Sequence, residues 1–385
     1  MNSVASNLKP IPLRVEDRWL LAAVAEVLFG QKVVEPPGIA GIDWGYLKRQ
    51  ASLHAVEPCL ARYCEGRAGE VPTVVSQKMQ QQQANLKAYN FFLLQELGRL
   101  TGALMAKRLD LLAWKGPALG VAAYGDLSLR QCADLDLLVR PEQMNEAVAE
   151  LSRLGYRENV DEDANTRNLE RASPKVVVDL HQMLVQPHFS LALEADDLLQ
   201  GADSVHALGL SIPVPSAEKL LLLLCVHGSK HVWERLAWIC DVALFIRLNP
   251  DLDWKRLRED AQLCRAVRML NVGLLLAESL ADGTVPARQF ETARSDVCAV
   301  KLASRVWTWL FLPESSHAMS FHKALFQVEM REAMRDRRPL LLHLLKLAIT
   351  PGEADRAFLK LPSWLGLGYY LIRPLRLISK VLSRR

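Results

Sequence analysis

Across residues 15–108 the apolar side chains return every three or four positions, as in Leu20, Val24 and Leu28 and later in Phe91, Leu94, Leu97, Leu100 and Leu104. That period belongs to the α-helix and predicts a helical lead-in. The glutamine run at 80–83 lies beside the pattern and reads as a solvated helix face. The rhythm then changes. Residues 109–114 read as a short strand, Pro117 opens a helix at a first-turn position that needs no N–H donor, and residues 134–139 read as the next strand. Residues 141–154 form a helix stopped at Gly155. Lys175–His181 (KVVVDLH) is a β-branched run typical of a buried strand, with a partner strand around Thr166–Ala172. Pro213-Val214-Pro215 reads as a linker, after which helical period dominates to the end, with breaks near Pro250, Pro286, Pro313, Pro351 and Pro362. The pattern predicts an α+β protein. A small mixed sheet spans 96–210, flanked by N-terminal helices over 1–95 and a C-terminal helical domain over 211–385.

Composition narrows the class without choosing a function. Half of the 385 residues are hydrophobic, enough to bury sizeable cores. Lys and Arg number 47 against 43 Asp and Glu, and a net +4 gives no argument for a nucleic-acid partner. The seven cysteines are odd in number and scattered, without a C-x-x-C pair, which argues against a disulfide framework or a zinc site. The first thirty residues place Glu16, Asp17 and Arg18 just before an apolar run and continue in helical rhythm, unlike a secretory leader. Apolar runs fall far short of the roughly 20 residues that span a bilayer. The expected compartment is the cytoplasm.

Chemistry concentrates in residues 114–139, WKGPALGVAAYGDLSLRQCADLDLLV. In a strand, Asp134 and Asp136 point one way while Leu135, Leu137 and Val139 enter a core. Two carboxylates in one small space repel, and a divalent cation removes the conflict; hard oxygen ligands on one strand suit Mg²⁺. A bare D-x-D is weak, since Asp134 can cap a turn and Asp136 can pair with Arg130 or Arg140. Its company strengthens it: Lys115-Gly116 upstream, Arg130 four residues before Asp134, Gly155-Tyr156 after the following helix, and Val178-Asp179-Leu180-His181 on the later strand.

Taken together and in this order, those residues resemble the nucleotidyltransferase superfamily typified by DNA polymerase β, most of all its poorly characterised bacterial branch, over residues from about 94 to 253. The chain departs from the wider superfamily in one respect: Gly116 is followed by Pro117, and residues 117–133 intervene before Asp134. Gly116 still lets a backbone N–H approach a phosphate at a helix start, with Lys115 supplying charge. The resemblance implies transfer of a nucleoside monophosphate from an NTP to a hydroxyl or phosphate acceptor, with release of pyrophosphate. It implies two Mg²⁺ (or Mn²⁺) ions on Asp134, Asp136 and Asp179, with Asp179 a candidate base and His181 orienting a carboxylate or phosphate. Arg130 either grips the triphosphate or pairs with Asp126 or Asp136. Tyr124 reads as core.

Further on, His227, Lys230, His231, Glu234, Trp238 and Asp241 fall at three- and four-residue steps on one face of a helix read as continuous over 217–248. Two histidines and a tryptophan suit a cleft wall that meets nucleotide or acceptor, a small molecule, saccharide or peptide. Without a third ligand of matching spacing, His227 and His231 do not make a zinc site. The last segment, 371–385, sets Leu371, Leu375, Ile378 and Leu382 on one stripe and Arg373, Arg376, Lys380 and Arg384 on another, so residues 364–385 are expected either to contact a membrane surface or protein or to pack on the helical domain. Two other readings stand beside the first. A D-x-D glycosyltransferase fits the acids but places several βα units before the motif, and a non-catalytic binding module would need no use for all three acids.

Overall fold

The computed structural model describes residues 13–32, 41–67, 69–159, 165–312, 319–351, 353–359, 365, 368–370, 372–373 and 376. Four helices lead in: α1 (Val15–Phe29), α2 (Trp44–Leu53), α3 (Glu57–Glu65) and the long α4 (Thr73–Ala106), which runs through position 95. The expected α+β core follows as β1 (Leu111–Ala113), α5 (Gly116–Tyr124), β2 (Leu135–Val139), α6 (Met144–Arg153), β3 (Arg157–Asn159), β4 (Thr166–Ala172), β5 (Lys175–His181), α7 (Ala195–Leu199), β6 (Asp203–Ala207) and β7 (Leu210–Val214). Helices complete the chain: α8 (Ala217–Lys230), α9 (Leu236–Leu248), α10 (Trp254–Leu263), α11 (Val267–Leu280), α12 (Ala287–Ser295), α13 (Val297–Leu310), α14 (Met319–Glu329), α15 (Met334–Ile349) and α16 (Glu353–Phe358).

Five strands make one mixed sheet in the order β1-β2-β5-β4-β3. Its centre is the parallel pair β2 and β5, where Leu135 sits beside Val178 and Asp136 beside Asp179. The period of two explains which side chains reach the core: Val176, Val178 and Leu180 of β5 are fully buried, while Val177, Asp179 and His181 take the other face. β2 is buried throughout because it packs on both sides. Leu135, Leu137 and Val139 join the cluster under α4 and α6, while Leu138, with Leu112 and Trp114 of the β1 edge, joins the larger helical core. Asp136 therefore lies in an apolar strand, only 3% exposed.

Three expectations from pattern change. Pro213 and Val214 belong to β7 and make no linker; β6 and β7 form a hairpin turned by Leu208 and Gly209, both left-handed at φ +54° and +76°. Two successive positive φ values are the geometry of a tight I′ turn, and a leucine in place of the usual Asn or Asp hid it. β3 was not foreseen, because three exposed residues carry no burial signal. The helix expected over 217–248 is two helices. Val232 and Trp233 are left-handed (φ +56° and +53°) and the Trp233 amide donates to the Gly228 carbonyl at 2.7 Å. What stabilises that costly turn is burial: the Trp233 ring is fully enclosed in a slot where a Cβ on Gly228 would come within 2.5 Å of it.

Gly155-Tyr156 serves packing. Gly155 ends its helix at φ +92°, and the buried Tyr156 hydroxyl donates to Glu96 of α4 at 2.7 Å, beside Arg171 of β4 on the same carboxylate. At the other end, Arg373 and Arg376 of the expected basic stripe both turn onto the fully buried carboxylate of Asp355. Lys380 and Arg384, with most of 364–385, lie outside the described residues. No helix among the described residues is long and apolar enough to cross a membrane.

Candidate active site

One open cavity of about 460 Å³ lies between the central β2-β5 pair of the sheet and the α8-α9 turn. Lys115, Gly116, Arg130, Asp134, Asp136, Asp179, His181, His227, Lys230 and His231 line it, and so do Glu234, Trp238 and Asp241; Gly155 and Tyr156 do not. Parallel pairing sets Asp136 and Asp179 side by side, and His181 follows two residues later on the same face of β5. Ligand atoms of Asp136, Asp179 and His181 all lie within 4.8 Å of one another. Asp134 precedes β2 and borders the same cavity, but its carboxylate stands outside that group.

The electrostatics follow from burying like charges. For Asp136 burial opposes ionisation, yet Lys115 Nζ at 3.1 Å and His181 Nε2 at 3.3 Å from its Oδ1 outweigh burial and hold it well below the usual carboxylate range. Its Oδ2 is buried without a hydrogen-bond partner. Asp179 is driven the other way, up to about 6, by burial and then by the charges of Asp136 and Asp134. Asp134 also rises, through burial and the charge of Asp136. An orphaned carboxylate oxygen beside a carboxyl that its neighbours keep partly protonated is an arrangement that a divalent cation would relieve, so the donor set fits a hard metal ion.

Beside the acids, Gly116 begins α5 at φ +55°, and a Cβ there would stand 2.8 Å from the Asp134 carbonyl oxygen. Only glycine lets the turn pass this close to Asp134, and it sets the Gly116 backbone at the cavity beside Lys115. Arg130 holds this turn from behind. It donates to the Gly116 carbonyl at 3.1 Å and forms a two-pronged pair with Asp241 of α9, Nε to Oδ1 at 3.0 Å and Nη2 to Oδ2 at 3.1 Å. The Tyr124 hydroxyl donates to the same carboxylate at 2.8 Å. Arg130, for which the sequence leaves open a triphosphate contact or a pair with Asp126 or Asp136, pairs with neither aspartate but with Asp241, 111 residues away, a partner that tertiary packing supplies.

The far wall is aromatic. His227 and His231 have ring centroids 4.6 Å apart, and Trp238 lies edge-on to His227 at 5.1 Å and 5.4 Å from His231. Burial, with Lys115 and Lys230 nearby, depresses both imidazoles, His231 to about 4, so both are neutral at pH 7. On one straight helix these residues would share a face; in the fold His227 and His231 reach the cavity from the end of α8, and Trp238 reaches it because the Val232-Trp233 turn folds α9 back beside α8. Two contributors went unnoticed in sequence. Trp114 packs edge-on against His227 at 5.6 Å and lies 4.4 Å under the Lys115 ammonium, and Thr166 faces His181 across the β4-β5 register, its Oγ1 3.1 Å from Nδ1. The position of Trp114 beside Lys115-Gly116 was the available signal for the first. Nothing but the strand register identifies the second.

Among known proteins, a family model described as uncharacterised nucleotidyltransferase matches residues 40–282. The chain belongs to that family. No curated protein matches it. It is also similar to the crystal structure of an antigenic nucleotidyltransferase-like protein from Paracoccidioides brasiliensis, at 14% identity and a TM-score of 0.34, over 54% of this chain and 91% of that one.

Proposed function

We propose that this chain is a metal-dependent nucleotidyltransferase that moves a nucleoside monophosphate from an NTP to a hydroxyl or phosphate acceptor and releases pyrophosphate. The observation that carries the reading is the adjacency of Asp136 and Asp179 on parallel strands, with His181 and Lys115 both on the Asp136 carboxylate and the Lys115-Gly116 turn lining the same cavity of about 460 Å³. Asp136, Asp179 and His181 would hold a divalent ion, with Asp134 recruited from the cavity rim for the second ion of a pair. A divalent ion such as Mg²⁺ or Mn²⁺ held there would supply neutralisation of triphosphate charge and acidification of an attacking hydroxyl. The chain's own groups supply the rest. Lys115 and the Gly116 amide bind phosphate oxygens, Arg130 fixes the turn that presents them, and an Asp179 carboxylate oxygen takes the acceptor's proton. Neutral His227 and His231 can donate or accept hydrogen bonds to base or sugar, and Trp238 packs them in place. Use of NTP agrees with a cytoplasmic setting.

Kinship with the polymerase β-like superfamily belongs to the same proposal and rests on the order Lys-Gly, D-x-D, later Asp. The glycosyltransferase alternative loses ground, since β1 is the sole strand upstream of Ala133 among the described residues. Calorimetry with each NTP and Mn²⁺, paired with a pyrophosphate-release assay over a broad acceptor panel, tests the proposal. Binding and release that vanish in Asp136→Asn are expected. No NTP affinity in the wild type, or turnover untouched by that substitution, defeats it.

A further inference from the structure

Outside the cavity, the most conspicuous unassigned surface is the outer face of α15. On a helix, Leu341, Leu342, Leu345 and Ile349 fall within an arc of roughly 100°. All four are exposed, Leu342 at 56% and Leu345 at 57%. The opposite face is anchored: Leu340 is buried, Asp336 pairs with Arg265 at 3.2 Å, and the His343 ring stacks on His188 at 3.8 Å. The helix then runs past the body, so that residues 345–350 are exposed on every side. Four large aliphatics in one stripe exceed the scatter of single apolar residues on an ordinary surface.

Charge indicates what covers them. Residues 334–385 hold eleven Lys and Arg against three Asp and Glu, a formal +8, whereas residues 1–333 hold 36 against 40, a formal −4. Two of the three acids are already matched inside the protein, Asp336 by Arg265 and Asp355 by Arg373 and Arg376. Arg338 lies on the leucine stripe and Lys346 at its edge, both exposed. A second copy would bring two like-charged faces together. An anionic lipid surface instead satisfies both features at once, taking up aliphatic side chains between headgroups that attract the cations.

We propose that α15 is a peripheral docking helix for anionic membranes, seated by Leu341, Leu342, Leu345 and Ile349 and attracted by the basic C-terminal region. The surface is separate from the catalytic cavity, and its failure would leave the chemistry above intact. The full chain is sedimented with phosphatidylcholine vesicles, with and without phosphatidylglycerol. We expect binding to the anionic vesicles alone, weakened by high salt, and reduced roughly tenfold or more in Leu342→Ser/Leu345→Ser and in Arg338→Glu/Lys346→Glu. Because these side chains are exposed, the thermal midpoints should match wild type; if the leucine variant melts early, the charge-reversal variant decides. Equal sedimentation with neutral vesicles, no sedimentation at all, or a dimer in the ultracentrifuge that the leucine substitutions dissolve without any vesicle binding overturns the proposal.

Discussion

Removing the Asp241 carboxylate tests whether Arg130 is a positioning residue. The Arg130 and Asp241 side chains are 11% and 4% exposed, so the pair is screened little by water. In Asp241→Ala the guanidinium keeps its charge and loses two short hydrogen bonds, and the Tyr124 hydroxyl loses its acceptor. Stranding a buried charge costs about 3–5 kcal/mol, and the orphaned phenol adds about 1 kcal/mol. Arg130→Met should cost a similar amount by stranding the carboxylate. The double variant Arg130→Met/Asp241→Leu replaces the pair by apolar volume and should fall within about 2 kcal/mol of wild type. Urea unfolding followed by circular dichroism supplies the four corners of the cycle, and the coupling energy should exceed about 2 kcal/mol. Since Arg130 also grips the Gly116 carbonyl, Asp241→Asn should weaken NTP binding although Asp241 is assigned no phosphate contact. A single-variant loss below about 1 kcal/mol, or singles that simply add up to the double, would refute this account of a buried, mutually dependent pair.

Gly116→Ala forces a left-handed alanine against the Asp134 carbonyl, and we expect about 2–4 kcal/mol of lost stability together with loss of NTP binding, checked by unfolding and calorimetry. Mn²⁺ should raise the wild-type thermal midpoint by binding the native state, and Asp179→Asn should abolish that increase while the metal-free variant melts no earlier than wild type, since it removes a repelled carboxylate. His54, buried and depressed to about 4, stays neutral in the fold while the unfolded chain protonates near 6.5. The unfolded state then binds more protons, so stability is full above about 6.5 and falls by on the order of 2–3 kcal/mol as pH drops toward about 4. His54→Phe should flatten that part of the pH-stability curve, and an unchanged slope would count against the assignment.

How legible the protein was in its sequence depended on whether a feature was local. The helical lead-in, β4, β5 and α5 were readable because amphipathic period, β-branched runs and a first-turn proline act within a few residues. The faces taken by Asp136 and Asp179 were readable for the same reason, since alternation sets them on each strand independently, whereas Asp134 precedes β2 and escapes that alternation. The hairpin turn at Leu208-Gly209 and the break at Val232-Trp233 were not, because non-glycine residues there hold left-handed backbones that only surrounding packing makes tolerable.

By itself, then, the amino-acid order determined which acidic, basic and histidine side chains share a face of each short element. Tertiary structure alone decided that β2 and β5 pair in the register that sets Asp136 beside Asp179, and that Asp241 claims Arg130. It also made Trp233, by sinking against Gly228, fold Trp238 and Asp241 of α9 back to the cavity that His227 and His231 at the end of α8 already border. Those are contacts between residues tens to more than a hundred positions apart, and their stability comes from burial and from pairing charge away from water, which no local pattern encodes.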